Sequence, residues 1–225
     1  MKLIVSSHQY PIKVFSHPNE WMQNLEDKIR HSKTQNAQLV VFPEYGSLDL
    51  LSLTLKNQTT TSTRTEPEIL QEQLQLIQQY SDLFRSHFSS MAKKYALYLV
   101  APSFPLALDK HHKKYVNRCF VYNPAGEEQF QDKLIMTRFE NEQWKISPGE
   151  KKLKVFNSPF GKWAVQICYD SEFPIMSLLL AQEGIDLLLA PSCTEAEAGA
   201  TRVHVSCQAR AIENQIYTIA VSYTH

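Results

Sequence analysis

Apolar side chains recur along this chain with two alternating periods. Lys2–Ser7 and Gln38–Phe42 read as strands, and between them Asn19–Thr34 reads as an amphipathic helix, with Trp21, Leu25 and Ile29 repeating every four residues on one face. Lys56–Thr65 is polar, lacks an apolar period and reads as a loop. The span Glu66–Tyr95 carries Leu70, Leu74, Ile77, Phe84, Phe88 and Met91, a helical stripe long enough to form two pieces or one bent helix. A strand at Leu97–Ala101 and a hairpin over residues 116–133, turned at Asn123-Pro-Ala-Gly126, follow. Residues Lys151–Phe156 and Lys162–Cys168 pair as a second hairpin closed by Ser158-Pro-Phe-Gly161. A helix at Pro174–Glu183, a strand at Ile185–Ala190, a helix around Ala200–Asn214 and a strand at Gln215–Ser222 complete the pattern. Strands alternating with helices and interrupted by hairpins predict a mixed α/β layered fold.

Three of these strands end on chemistry. Val40-Val-Phe-Pro-Glu44 delivers a carboxylate, the segment from Asp132 and Lys133 to Glu140 offers an ammonium and a second carboxylate, and Trp163–Cys168 stops at a thiol followed by Tyr169-Asp-Ser-Glu-Phe-Pro174. A free thiol is only a few per cent thiolate at neutral pH, so a nearby carboxylate that takes its proton makes it a strong nucleophile. Glu44 is placed for that role and, once protonated, for handing the proton to a departing amine. Lys133 and the amide of Tyr169 are placed to stabilise the oxyanion that forms when a thiolate attacks an amide or nitrile carbon. Each residue also has a plain reading in isolation, as a core thiol, a solvated turn acid or a surface lysine; their occurrence together at strand ends favours chemistry.

These segments, with Tyr115-Val-Asn-Arg118, Val121-Tyr-Asn-Pro-Ala-Gly126 and Gln208-Ala-Arg-Ala-Ile-Glu-Asn-Gln215, resemble the nitrilase, or carbon–nitrogen hydrolase, superfamily almost end to end. The resemblance implies a four-layer α-β-β-α sandwich and a Glu44, Lys133, Cys168 triad. It also implies a second glutamate steadying the lysine, which matches Glu140, with Glu142 a nearby competitor. Tyr45, Phe139, Trp144, Tyr169 and Phe173 adjoin these positions and are placed to wall a small cavity, though aromatics beside strand ends also serve as core. Ser47–Thr65, the basic turn around His111 and Cys193–Val205 are expected to rim it.

The implied reaction is hydrolysis of a non-peptide carbon–nitrogen bond through a Cys168 thioester, in a small linear amide rather than a nitrile, with no metal or organic cofactor. Two alternatives share the chain: a catalytically silent metabolite-binding scaffold, and an acyltransferase passing the same acyl group to an amine. Cysteine and histidine spacing gives no metal motif, since there is no paired-cysteine knuckle and His111-His112 sits in a hydrophilic turn. Cys119, Cys193 and Cys207 receive no role. His204 is the histidine downstream of Cys168 that a papain-like pair would need; Glu44 is preferred, leaving His204 to line the pocket or a subunit contact.

Composition narrows the setting. At 225 residues and 43% hydrophobic content, residues 1–225 read as one domain with a substantial core. The family usually continues past the final strand, so the chain is expected to be a short member or to lack a C-terminal segment. Its formal net charge of zero gives no electrostatic case for nucleic acid. No apolar run approaches the roughly 20 residues of a membrane span. Four cysteines without a disulfide framework fit a reducing, cytoplasmic location, and the resemblance implies a homodimer built through helices flanking the nucleophile.

Overall fold

Alternation of side chains across each strand divides the protein into two sheets with a core between them and further cores outside. The computed structural model describes residues 2–55, 65–109, 111, 114–194 and 196–222. The expected loop at Lys56–Thr65 therefore lies outside the described residues except for Thr65, as does most of the basic turn beside His111. In chain order the elements are β1 (Val5–Ser7), α1 (Pro18–Thr34), β2 (Leu39–Val41), a 3-10 turn (Gly46–Leu51), α2 (Ser52–Leu55), α3 (Glu66–Ile77), a 3-10 turn (Gln78–Tyr80), α4 (Ser81–Tyr95), β3 (Tyr98–Val100), β4 (Phe104–Ala107), β5 (Tyr115–Tyr122) and β6 (Glu128–Asp132). They continue with α5 (Arg138–Glu142), β7 (Val155–Ser158), β8 (Gly161–Val165), a 3-10 turn (Cys168–Glu172), α6 (Pro174–Gln182), β9 (Leu187–Pro191), α7 (Glu197–Asn214) and β10 (Tyr217–Val221). The long helical span thus forms as two helices joined by a short turn.

One sheet runs β1-β2-β3-β5-β4, with β6 on the other edge of β5; the second runs β10-β9-β8-β7. Strands β1, β2 and β3 are parallel, as are β8, β9 and β10, while the two hairpins supply antiparallel pairs. In β2, β3 and β5, Leu39, Val41, Val100, Cys119 and Val121 point inward and meet Trp163, Val165, Leu187 and Leu189 of the other sheet. Their neighbours Val40, Leu99, Phe120 and Tyr122 point outward against Trp21, Leu25, Ile29, Phe84 and Phe88 of α1 and α4. On the far side Ala164 and Leu188 pack against Leu180 of α6. A strand buried on both faces has no polar face, which is why these strands are short continuous apolar runs. The result is the expected α-β-β-α sandwich. Ile175, Leu178 and Leu179 of α6, with Val205 and Ile212 of α7, remain exposed on the outer helices. Among the described residues no helix is long and apolar enough to cross a membrane.

Strand β4 and helix α5 depart from the sequence expectation. β4 contains Pro105 and pairs only with β5, the edge position that tolerates a residue without an N–H. α5 has five residues, too few to display a helical period, but it opens on a reciprocal capping box between Thr137 and Glu140. The strand before Cys168 also ends earlier than Lys162–Cys168 implies, because β8 stops at Val165 and Cys168 begins the next 3-10 turn. Helix α7 starts at Glu197, three residues before the expected Ala200.

One half-buried histidine sets a pH dependence. His8 follows β1, stacks on Phe42 with ring centroids 5.0 Å apart, and places Nε2 2.8 Å from Ser32 Oγ. Burial, reinforced by the charges of Lys28 and His31, lowers its pKa from 6.5 to about 4. The unfolded chain therefore takes up a proton that the folded protein refuses. The stabilisation is complete above pH 6.5 and is lost as pH falls through the folded value, by up to about 3 kcal/mol. Urea denaturation at pH 7 and pH 4.5 should show His8→Gln losing less stability across that interval than the parent; equal losses would remove His8 as the cause.

Candidate active site

Glu44, Lys133 and Glu140 form one buried cluster at the ends of the sheets. The lysine leaves the β5–β6 hairpin, where its N–H bonds the Asn117 carbonyl at 2.8 Å, and its side chain is 1% exposed. Gly149 closes on this hairpin: its N–H bonds Lys133 O at 3.0 Å, and a Cβ there would lie 2.2 Å from Asp132 Cβ. Lys133 Nζ donates to Glu44 Oε1 at 2.8 Å and to Glu140 Oε2 at 2.7 Å. Asn117 Nδ2 also bridges the two acids, at 2.8 Å to Glu44 and 3.2 Å to Glu140.

The two carboxylates differ in what else they receive. Glu140 Oε2 accepts from the Thr137 N–H and hydroxyl, each at 2.9 Å, while Oε1 accepts the Tyr45 hydroxyl at 2.7 Å. Glu44 accepts the Cys193 N–H, at 2.9 Å on Oε2, and meets the Cys168 thiol. Burial alone would raise both pKa values. At Glu140 the charge and hydrogen bond of Lys133, with Thr137 and Tyr45, overcome burial and hold the carboxyl below the usual range. At Glu44 burial prevails over Lys133, with Glu140 adding to the rise. Two acids on one ammonium are thus pushed apart, one fixed as an anion and the other ready to hold a proton. Lys133 stays charged, since Glu44 and Glu140 outweigh the burial that opposes its ammonium.

Cys168 faces the same cavity from the other sheet. It is a non-glycine residue at φ 49°, and Tyr45, directly after Glu44, is another at φ 56°. Left-handed backbone costs an ordinary residue roughly 1–2 kcal/mol, so both turns are held by their surroundings. Ser171 Oγ donates to the Cys168 carbonyl at 2.7 Å, and Arg210 Nη1 of α7 donates to Ser171 O at 3.1 Å. The carboxylate of Asp170 accepts the N–H groups of Leu134 and Ile135, at 3.2 and 2.8 Å, joining the turn of Cys168 to the loop of Lys133. Tyr45 is pinned by its N–H to Ser103 Oγ at 2.9 Å. Cys168 Sγ lies 3.9 Å from Cys193 O, and burial, then the charge of Glu44, push its pKa well above the ordinary thiol value against the pull of Lys133. The resting side chain is a protonated thiol beside an acid of raised proton affinity.

A cavity of about 410 Å³ opens over these groups. Glu44, Tyr45, Lys133, Phe139, Glu140, Trp144, Cys168 and Tyr169 all line it, so the candidate catalytic and wall residues meet there. Trp144 packs edge-on to Tyr45 at 4.8 Å and against Phe139 at 5.5 Å. Phe173 stands behind Tyr169, and Glu142 is on the surface paired with Arg138. Of the three expected rims, Cys193–Val205 lines the cavity, whereas the described residues 47–55 and His111 do not. His204 is exposed and lines a neighbouring cavity with Ser192 and Thr194. Sequence reasoning does not single out Asn117, Thr137, Asp170 or the backbone of Cys193 for these roles. Only Thr137, through its Thr-x-x-Glu spacing, carries a readable signal. Among the described residues no three His, Cys, Asp or Glu side chains converge as a metal-holding set.

Two sheets back to back between helices are the architecture of the nitrilase superfamily. Saccharomyces cerevisiae Nit3, a member of branch 10 of that superfamily, matches 98% of this chain and 75% of its own with a TM-score of 0.72 at 24% identity. Residues 4–225 match the carbon–nitrogen hydrolase family, and the chain belongs to it. It is 30% identical to the probable hydrolase YhcX of Bacillus subtilis over 94% of this chain and 38% of that protein, so it spans well under half of YhcX. It is also 29% identical to the deaminated glutathione amidase of Synechocystis, over 95% of this chain and 76% of that one.

Proposed function

We propose that the protein hydrolyses a small linear amide by nucleophilic catalysis at Cys168. The observation that carries this reading is the buried Glu44–Lys133–Glu140 cluster opening on the same cavity as the thiol, and the amidase names among its relatives agree with it. Glu44 takes the Sγ proton as sulfur attacks the carbonyl carbon, and the electron pair moves onto oxygen beside the Lys133 ammonium and the Tyr169 N–H. The tetrahedral species collapses as Glu44 returns the proton to nitrogen; the C–N bond breaks and a Cys168 thioester remains. Water then gives a proton to Glu44 and attacks the thioester, and the departing sulfur recovers that proton, leaving a carboxylic acid and free enzyme. Glu140, held ionised, keeps Lys133 charged and aimed. A reducing compartment such as the cytoplasm suits a catalytic thiol and four free cysteines.

Intact-protein mass spectrometry after incubation with pooled amides, nitriles and esters tests the reading. An acyl adduct should appear on the parent and be absent from Cys168→Ala, whose turnover should fall to background while its circular dichroism is unchanged. No adduct, with Cys168 no more reactive to iodoacetamide than the other three cysteines, would favour a silent binding member. Adduct transfer to added amines in preference to water would favour an acyltransferase.

A further inference from the structure

The strands that carry the candidate catalytic groups also frame a second cavity at the opposite end of the sandwich. Strand β5 leaves Asn117 beside Glu44 and ends at Tyr122, where the hairpin turns, and β6 then runs back to Asp132 and Lys133. Likewise β8 holds Trp163 near its start and leads toward Cys168. Between the turn of that hairpin and strands β7 and β8 lies a cavity of about 360 Å³, whose walls include Tyr98, Phe156, Trp163, Glu127, Glu128 and Asn157. None of its lining residues lines the cavity over Cys168.

Among the described lining residues are two carboxylates and no lysine, arginine or histidine. Glu128 is saturated, because Arg85 donates to both of its oxygens at 2.7–3.2 Å and the Tyr122 hydroxyl donates to Oε2 at 2.8 Å. Glu127, which is exposed, accepts the Asn123 amide on Oε2 at 2.6 Å, and among the described residues no hydrogen bond occupies its Oε1. One negative charge therefore stands unpaired at the rim. Behind it is an aromatic wall: the rings of Phe156 and Trp163 lie 4.8 Å apart, and half-buried Tyr98 meets Trp163 edge-on at 6.4 Å. Aromatic faces beside a carboxylate attract an organic cation. Trp163 is 1% exposed, and its Nε1 has no hydrogen-bond partner among the described residues. A buried indole N–H ordinarily finds an acceptor, and a ligand in this cavity can bring one.

We propose that this cavity is a binding site, separate from the catalytic one, for a small organic monocation: an alkylammonium ion that also carries an oxygen acceptor. The ammonium sits between Glu127 and the aromatic wall, and the oxygen accepts the Trp163 N–H. A volume of about 360 Å³ lies near the small end of ligand sites, which limits the ligand to a few carbons around its charge. The proposal does not depend on the reaction assigned to Cys168.

Calorimetric titration of the full chain with choline and with 3,3-dimethylbutan-1-ol, its uncharged isostere, is the test. Choline should bind roughly tenfold more tightly, the gain expected when a cation meets aromatic faces and a carboxylate at a partly desolvated site. Glu127→Gln and Tyr98→Leu should each weaken choline binding by about threefold or more while affecting the alcohol less. Trp163→Phe keeps an aromatic ring in the wall but removes the donor, so it should weaken both ligands alike. Because Trp163 is a core residue, the exposed Glu127 and half-buried Tyr98 decide the case if that variant fails to fold. Equal affinity for choline and the alcohol, binding of neither at millimolar concentration, or a choline affinity that survives both Glu127→Gln and Tyr98→Leu would overturn the proposal.

Discussion

Lys133→Met is expected to lower stability by about 3–5 kcal/mol and to abolish turnover with it. Removing one partner of a buried ionic cluster leaves the other charges uncompensated, which is the costly way to break such a cluster. Here two carboxylates, Glu44 and Glu140, would remain close together at 1% and 3% exposure, sharing only Asn117 between them. Read from sequence, Lys133 is a side chain whose charge matters chiefly as the oxyanion develops; its burial makes it a structural cation as well. The double variant Lys133→Met/Glu140→Gln should recover a substantial part of the lost stability by removing one anion, yet remain inactive. Urea unfolding checks both, and a Lys133→Met protein as stable as its parent would show that the acids accept protons at no cost and that the lysine holds nothing together.

Glu44→Gln should cut turnover by about a hundredfold to ten-thousandfold, the range for loss of a general acid–base group. Its fold should persist, since Gln keeps an acceptor for Lys133 and Asn117, although its amide nitrogen would face the Cys193 N–H. The pH profile carries the sharper test. Burial raises the Glu44 pKa, so the acid limb of kcat/KM in the parent should lie above the ordinary carboxylate range, with activity lost as pH falls through it. Glu140, shifted downward, cannot supply that limb. In Glu44→Gln the residual rate should be flat across the same interval. A limb that survives the substitution would belong to Asp170, whose carboxyl burial pushes up to about 7, and Glu44 would lose its role as base.

The fold and the meeting of the candidate residues are legible in the sequence because they depend on local patterns. Apolar runs leading to Phe-Pro-Glu44 or Ile-Cys168-Tyr-Asp announce strands and the candidate groups that follow them, and Trp21, Leu25 and Ile29 mark a helix face by spacing alone. The hydrogen-bond partners are not legible. Asn117 looks like any polar residue in a strand until Glu44, 73 positions away, folds against it. The amide of Cys193 has no signature because its contribution is made by backbone. β4 escapes notice because Pro105 weakens a strand pattern except at a sheet edge, and edges are a property of the assembled sheet. The choice between Glu140 and Glu142 turns on three-dimensional placement, although the Thr137-x-x-Glu140 cap already contains the clue.

The bond from the Cys193 amide to Glu44 spans 149 residues. During synthesis at about 5–20 residues per second, the carboxylate emerges from the ribosome roughly 7 to 30 s before the amide that completes its setting. Cys168 arrives late in the same interval, and the α7 arginine that clamps its turn later still. A growing chain therefore carries these ionisable side chains without the partners that bury and bond them in the folded protein. The setting of the thiol is thus completed by topology at the end of folding, by the order in which its parts arrive.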